Sequence, residues 1–404
     1  MTTPAEISRN RRLFVIGIAY FSFIVLGMPG AMLGVAWSPY MRETFHQSLD
    51  AVAFVLFAST SGYFVASFIS GWLMARLPAA SLLALSCILG AMGVLGYAIA
   101  PSFGLLVLAG LFGGTGAGIL DGGMNVYFAA HHGPRLMNWL HASFGVGSTL
   151  APLMMNAILN SDISWRVGPA IIGGLYLALV ILFLSTRPYW SSLKTSHAED
   201  EQPVQHATAL ETLRLPIVWL GIILFMAYAG IELSAGQWSF SLFHEERGVS
   251  ESVARFWVSL YWGSFTIGRI LFGAIINRIN PHALVRGCLV GAAIGMTLVW
   301  WNASEAMSFV GLVIYGFMLA PIFALMITNT QERLGPTHAP NAIGFQVAAA
   351  SIGAGGIPGL VGIIAQSSSL EIVPPFLLVL IVIMATAHFA INRPHPAVNR
   401  EMGI

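Results

Sequence analysis

Long apolar runs constrain what this chain can fold into more than any other feature of its sequence. A helix needs about 20 apolar residues to cross the hydrocarbon core of a bilayer, where only helices and closed barrels satisfy their own backbone hydrogen bonds. Runs of that length lie near residues 13–38, 51–75, 80–100, 103–128, 137–159, 166–186, 215–241, 252–277, 282–301, 304–330, 340–365 and 371–391. We therefore predict an all-α integral membrane protein with twelve transmembrane helices.

The composition agrees with a chain whose main solvent is lipid. Of its 404 residues, 56% are apolar and only 9% are charged, whereas a soluble domain has about 25% charged residues. The net charge of +1 offers no basic surface for nucleic acid. The expected macromolecular environment is the lipid bilayer, with no nucleic acid, and we expect a monomer.

The sequence lacks the patterns that catalysis requires. It shows no nucleophile with its base, no cluster at metal-ligand spacing and no nucleotide-binding loop. Cys87 and Cys288 fall within apolar runs, where buried thiols are expected rather than a disulfide. We therefore predict that the protein is not an enzyme and holds no metal and no cofactor.

An internal repeat relates the two halves of the chain. The segments GWLMAR and GAIINR begin at Gly71 and Gly273, an offset of 202 residues (273 − 71), and the Gly-Pro pair that begins at Gly133 recurs at the same offset at Gly335. Half of 404 is also 202. The repeat predicts two pseudo-symmetric six-helix bundles, an arrangement that places a substrate site between the halves near mid-membrane.

A polar stretch separates the two halves. The residues from Arg187 to Arg214 include SHAEDEQPVQH and show no apolar periodicity, which is typical of a solvent-exposed linker. The predicted organisation is an N-terminal bundle at 1–186, a linker at 187–214 and a C-terminal bundle at 215–404.

The positions of the positive charges predict the orientation in the membrane. Lys and Arg residues close to spans are retained in the cytoplasm. With the N-terminus inside, most of them fall on the cytoplasmic side, and those that fall outside are Arg42, Arg166, Arg247 and Arg255. We predict a multi-pass protein of the bacterial inner membrane with both termini in the cytoplasm.

Two acidic residues lie deep within apolar runs. Asp121, in the glycine-rich segment GAGILDGGMN, falls in the fourth run and Glu232 in the seventh, although an ionised carboxylate in hydrocarbon costs roughly 2.5 to 3.5 kcal/mol. At the repeat offset, Asp121 corresponds to Phe323 and Glu232 to Gly30, so the shared scaffold requires neither acid. We interpret both as coupling residues whose charge biases inward and outward states. A structural hydrogen bond or ion pair is the alternative.

Other polar and aromatic residues extend the predicted site. Asn125 lies four residues from Asp121 on the same helix face, and its amide, which can donate and accept hydrogen bonds, makes it a predicted substrate-binding residue. His141, at a similar depth in the fifth run, is placed to pair with Asp121 or to relay a proton, and a satisfied polar group near a helix end is the alternative. Gln237 is a predicted substrate-binding residue, and Trp238 beside it is the predicted stacking partner for a sugar ring, with packing or an interfacial position as the alternative.

The loops after the second and eighth runs resemble the signature of the major facilitator superfamily of transporters. The resembling segments are GWLMARLP and GRILFGAIINRINP, although Ala75 and Asn277 stand where that signature has acids. Three further segments, GAGILDGGMN, NWLHASFGVGSTLAP and YAGIELSAGQW, are similar to the fucose–galactose–glucose symporter family, including its sodium-dependent glucose-transporter-like branch. The acid that fucose permeases carry on the first helix is absent here, where Gly27, Met28, Pro29 and Gly30 stand.

The resemblance implies the major facilitator fold, in which helices 1, 4, 7 and 10 line a central cavity. It places Asp121 and Glu232 on cavity helices. By helix position it also suggests three weaker candidates for substrate binding, Tyr127, Asn329 and Gln346.

Three arginines are candidates for gating. Arg76 and Arg278 stand in the two signature-like segments, and Arg269 follows Gly268 as in the superfamily's GR pattern. The resemblance implies that they act at a gate or between helices. For Arg269, snorkelling to the interface is the alternative.

The sequence thus favours a secondary active transporter of a small neutral solute, most simply a hexose-like sugar. Coupling would use a proton or a sodium ion. The alternative is a proton-coupled exporter of drugs or amphipathic metabolites from the same superfamily. A membrane receptor or membrane enzyme is disfavoured, because charged residues lie inside the predicted bundle, as transport requires. The linker of about 28 residues is also too short to be the sizeable soluble domain of a receptor.

Overall fold

The computed structural model describes residues 4–48, 51–161, 163–190 and 207–392, and these ranges contain no β-strand. The long helices are α1 (Pro4–Ala36), α2 (Val52–Arg76), α3 (Ala79–Ile99), α4 (Phe103–His131), α5 (Pro134–Asn160), α6 (Val167–Ser185), α7 (Pro216–Ser241), α8 (Glu251–Ile275), α9 (Pro281–Trp301), α10 (Glu305–Leu319), α11 (Ile322–Ser367) and α12 (Val373–Ile391). The prediction of an all-α chain is confirmed.

Eleven helical segments in the described ranges are long and apolar enough to cross a membrane. One of them runs over 63 residues, from Glu305 to Ser367, about three times the length that a bilayer requires. Gly335 breaks it with a φ of 60° and a ψ of −176°, a conformation that glycine adopts far more readily than other residues. The segment therefore forms a tenth span at 305–334 and an eleventh at 336–367, which accounts for the twelve predicted spans.

Two predicted boundaries differ from the structure. Helix α1 begins at Pro4 rather than near residue 13, and a π-helical turn, Trp37–Met41, follows it. The predicted gap between the tenth and eleventh runs is absent, because helical structure continues on both sides of Gly335. Hydrophobicity identifies only the part of a helix that lies in lipid, so it does not predict helix ends that lie in water.

The ends of the predicted linker are ordered and packed. Residues Arg187–Tyr189 form a 3₁₀ turn, and Ala209–Leu213 form a short helix. Trp190 and Thr212 are buried, so the expectation of solvent exposure is wrong at these two ends. The rest of the predicted linker, residues 191–206, lies outside the described residues.

Glycines in α4 allow it to pack closely on its neighbours. A Cβ atom at Gly118 would lie 2.4 Å from the Tyr63 carbonyl oxygen of α2, and one at Gly116 would lie 2.4 Å from the backbone nitrogen of Gly90 in α3. Small residues at helix crossings permit such approach in membranes. The glycines around Asp121 therefore form a packing seam, and this seam brings the side chains of α2 next to the aspartate.

The connections between α2 and α3, between α4 and α5, and between the tenth and eleventh spans lie on one side of the molecule. The short helix Ala209–Leu213 packs there too, since the Thr212 hydroxyl lies 3.1 Å from Nδ1 of His338. This side is called the linker side below, and the other is called the opposite side.

Arg247 ties the loops of the C-terminal half together on the opposite side. Its guanidinium pairs with the Glu371 carboxylate through Nε at 2.6 Å and Nη2 at 2.7 Å, and Nη2 also donates to the Val299 carbonyl at 3.0 Å. The Arg247 side chain is only 7% exposed, against 40% for Glu371. A buried arginine with several acceptors therefore holds the start of α12 against the end of α9.

We expect Arg247→Ala to lower the free energy of unfolding by about 2 kcal/mol, since it removes the charge pair and leaves buried acceptors unpaired. Glu371→Gln should cost less, on the order of 0.5 to 1 kcal/mol, because its carboxylate is partly exposed and the bond to Val299 remains. Denaturant titration of the purified protein measures both values. Equal losses for the two variants would show that the ion pair alone, and not the carbonyl contact, supplies the stability.

Candidate functional site

The two halves meet closely on the linker side. A Cβ atom at Gly71 of α2 would lie 1.8 Å from the Pro340 carbonyl oxygen of the eleventh span, and one at Gly273 of α8 would lie 2.6 Å from Nε1 of Trp139 in α5. Gly71 and Gly273 are the first residues of the repeated segments. The repeat therefore places two equivalent contacts, one in each half, that close this side.

A cavity of about 580 Å³ lies above this closure, between the halves. Its walls come from α1, α2, α4, α5, α7, α8 and the tenth and eleventh spans. The repeat pairs meet inside it, because Asp121 and its counterpart Phe323 both line the cavity, as do Glu232 and its counterpart Gly30. The lining continues along the eleventh span to Gly355, toward the opposite side.

A chain of hydrogen bonds extends from the cavity into the N-terminal half. The Tyr63 hydroxyl of α2 donates to Oδ2 of Asp121, and Nδ2 of Asn125 donates to Oδ1 of Asp121 at 2.8 Å. Oδ1 of Asn125 in turn lies 2.9 Å from Nε2 of His141. His141 is thus linked to Asp121 through the Asn125 amide, and not by the direct pair that was one of its two predicted roles.

Arg269 links the two halves at the floor of the cavity. Its Nη1 donates to the His141 carbonyl of α5 at 3.2 Å, and its Nη2 lies 3.9 Å from Oε1 of Glu232 on α7. The guanidinium also sits 4.2 Å from the centre of the Phe265 ring, a cation–π contact. Arg269 faces the cavity with partners on both sides, so the structure does not show it snorkelling to the interface.

The charged floor contrasts with largely apolar walls. Phe23, Leu26, Phe144, Phe323 and Val347 line the cavity together with several alanines and glycines. Among the described residues, no Asn, Gln or Trp side chain lines it, and no group of three or more His, Cys, Asp or Glu residues is placed to hold a metal ion.

The six residues predicted to bind substrate all lie outside the cavity lining. Asn125 is fully buried beneath the floor, and Gln237 is exposed on α7. Tyr127 packs on His131 and Trp190, with ring centres 4.3 Å and 5.1 Å away. The remaining three are Trp238, between α7 and the eleventh span, and Asn329 and Gln346, which line a separate small pocket.

Trp238 is held as a packing residue. Its Nε1 donates to the Pro358 carbonyl at 2.9 Å, and its ring lies against Gly362. We therefore expect Trp238→Ala to lower the thermal unfolding midpoint and to leave solute affinity unchanged, the reverse of the expectation from sequence. Binding and melting curves of the same variant measure the two effects, and weakened binding in a protein of normal stability would contradict this arrangement.

Of the three arginines predicted to act in gating, only Arg269 reaches the cavity. Arg76 and Arg278 are exposed at the ends of α2 and α8 on the linker side, where Arg76 lies 4.3 Å from the centre of the Trp72 ring. Both stand a short distance beyond the closing glycines of the repeated segments.

Three side chains that the structure places in the site were not predicted from the sequence. Tyr63 bonds Asp121, Tyr228 lines the cavity beside Glu232, and the Phe323 ring lies 4.8 Å from that of His141. Phe323 could have been predicted from the sequence, since it is the repeat counterpart of Asp121. Tyr63 carried none, because nothing in the sequence shows which face of α2 meets α4.

Comparison with known proteins agrees with this architecture. The chain resembles the solved structure of the Escherichia coli fucose:proton symporter, with a TM-score of 0.78 and 14% identity over 94% of this chain and 98% of that one. It is 22% identical to the sodium-dependent glucose transporter 1A of Mus musculus over 385 residues, 85% of this chain and 88% of the relative. It is 25% identical to the fosmidomycin resistance protein of Escherichia coli K12 over 290 residues, 70% of this chain and 69% of the relative.

The model of the Major Facilitator Superfamily matches residues 19–358 and 240–401. The matches and the fold identify a multi-pass membrane transporter of a small-molecule solute, not an enzyme. The chain belongs to the major facilitator superfamily.

Proposed function

We propose that this protein is a secondary active transporter of a neutral hexose-like solute, coupled to a proton or a sodium ion at Asp121. The observation that carries the proposal is the position of Asp121: a carboxylate inside the solute-sized cavity, hydrogen-bonded to Tyr63 and Asn125. The sugar-transporting relatives support the choice of solute.

Charge balance in the cavity favours a neutral solute. Glu232 faces Arg269, so these two charges offset each other. A proton or a sodium ion on Asp121 then leaves the cavity without net charge, and a neutral solute adds none. A cavity without net charge can close without burying an unpaired ion away from water. Burial of an unpaired ion would be unfavourable.

Arg269 can transmit this change in charge to the interface between the two bundles. It belongs to α8, and it contacts the backbone of α5 at His141. In the proposed mechanism, loss of the ion from Asp121 draws Arg269 toward the aspartate and weakens its contact with Glu232. The two halves are thereby biased toward one of their arrangements, as a ligand biases a two-state equilibrium.

A second candidate function is proton-coupled export of an amphipathic compound. The amide-free, aromatic lining of the cavity favours it, because sugar hydroxyls are commonly bound by amide side chains whereas apolar walls suit amphipathic solutes. Similarity to the fosmidomycin resistance protein points the same way.

A binding screen separates the two candidates. Hexoses and known exporter substrates, including fosmidomycin, are added to the purified protein, and thermal stabilisation is recorded with and without sodium and at two pH values. Saturable stabilisation by a hexose, dependent on sodium or pH, supports symport. Stabilisation only by amphipathic compounds supports export.

The remaining features of the proposal follow the sequence. We propose bundles at 1–186 and 215–404 that move as units, cytoplasmic termini in a bacterial inner membrane, a monomeric carrier and no cofactor other than the coupling ion.

A further inference from the structure

A small polar pocket lies within the C-terminal half, apart from the central cavity. Its volume is about 30 Å³, room for a single water molecule or a monatomic ion. Residues of α7, the tenth and eleventh spans and α12 line it, and its polar side chains are Asn329, Thr330, Arg333, Gln346, His388 and Asn392.

Hydrogen bonds hold the walls of the pocket and leave one group unpaired. Thr330 and Gln346 bond each other at 3.0 to 3.1 Å, and Nη2 of Arg333 donates to Oδ1 of Asn392. Asn329 is 6% exposed, and its Oδ1 has no hydrogen-bond partner. Buried polar atoms are nearly always paired, so an occupant of the pocket is expected. The two ends of an amide are nearly identical in shape, so Asn329 can present either a donor or an acceptor.

Positive charge favours an anion as that occupant. Within the described residues, no carboxylate oxygen lies within 4.0 Å of the Arg333 guanidinium, whose side-chain partner is the neutral Asn392. Glu332, the neighbouring acid, is exposed. A partly buried cation is unfavourable when the neighbouring acid is exposed and makes no direct ion pair with it. The same charge disfavours sodium, although hydroxyl and amide oxygens are present.

The repeat supplies an independent reason to regard the pocket as a site. The corresponding residues at the offset of 202 are Tyr127 with Asn329, His131 with Arg333 and Trp190 with Asn392. In the N-terminal half, the Trp190 ring packs 5.1 Å from that of Tyr127, and its Nε1 bonds Thr186 at 3.0 Å. An indole thus fills the place that short polar side chains leave open in the C-terminal half.

We propose that this pocket binds one monatomic anion, chloride, between Arg333 and the amides of Asn329 and Gln346. The anion neutralises Arg333 and joins the tenth span to α12 on the linker side. Its size excludes sulfate and phosphate.

The test uses the purified full-length protein at constant sodium concentration and ionic strength while chloride replaces gluconate. We expect a saturable rise of about 2 °C in the unfolding midpoint, with no such rise when sulfate replaces gluconate. Arg333→Gln should abolish the response. Asn392→Trp places in the pocket an indole like that of Trp190 in the other half. We expect this variant to fold without chloride and to show no response to it.

Arg187→Gln is the matched control, since Arg187 is exposed in the other half and its loss should leave the response intact. Bromide should replace chloride and give an anomalous diffraction peak in the pocket. Absence of a saturable response in the unchanged protein, or the same response in all variants, would mean that the pocket holds water only. Either outcome overturns the proposal.

Discussion

Asp121→Asn is expected to abolish gradient-driven accumulation of solute while solute exchange continues. The amide keeps the size and most of the hydrogen bonds of the carboxylate, but it carries no charge and takes up no proton. One pH unit is worth about 1.4 kcal/mol, or about tenfold accumulation for one proton per solute, and the variant should reach no accumulation at all. Uptake and counterflow in proteoliposomes with an imposed pH or sodium gradient measure the two activities.

Glu305→Gln is the control, because Glu305 is an exposed carboxylate at the start of α10. Its accumulation should match that of the unchanged protein. If Asp121→Asn accumulates solute normally, Asp121 is not the coupling residue. If it loses exchange together with accumulation, Asp121 serves binding or folding instead.

Gly71→Val is expected to prevent closure of the linker side. Even a Cβ atom there would overlap the Pro340 carbonyl, at 1.8 Å, and the backbone of the eleventh span cannot move away without separating the halves. Overpacking costs about 1 to 3 kcal/mol, so transport should fall on the order of tenfold or more. The state open toward the linker side should dominate.

A cysteine at Asn138 reports this change. Asn138 is fully buried, and its Cβ atom lies 3.5 Å from the position of a Cβ at Gly273 of the other half. With Cys87 and Cys288 replaced by alanine, Asn138→Cys should resist a water-soluble thiol reagent and should react once Gly71→Val is added. Gly174→Val is the control, because nothing lies within 4 Å of a Cβ there. Equal protection of the cysteine with and without Gly71→Val would show that Gly71 does not form the closure.

The repeat was the strongest guide to the site that the sequence offered. It related Asp121 to Phe323 and Glu232 to Gly30, and all four line one cavity. The repeated glycines at 71 and 273 proved to be the closing contacts. Symmetry made these positions predictable, because whatever lies at the interface in one half lies there in the other.

The substrate-binding candidates lie outside the cavity lining because they were chosen by depth in the membrane and not by direction around the helix. An α-helix turns about 100° per residue, so Trp238, six residues after Glu232, points about 120° away from it. The same spacing separates Tyr127 from Asp121. Asn125 does share a face with Asp121, but the closure beneath the cavity buries it. Only the packing of neighbouring helices shows where the cavity ends.

Movement of the coupling ion with the solute is the most direct consequence of coupling at Asp121. A hexose that stabilises the protein is added outside proteoliposomes that have no imposed gradient, and internal pH and internal sodium are followed with fluorescent dyes. We expect either protons or sodium ions to enter with the solute in the unchanged protein, and neither to enter in Asp121→Asn although the solute still exchanges. Solute entry without movement of either ion in the unchanged protein, or ion entry that persists in Asp121→Asn, would contradict coupling at Asp121.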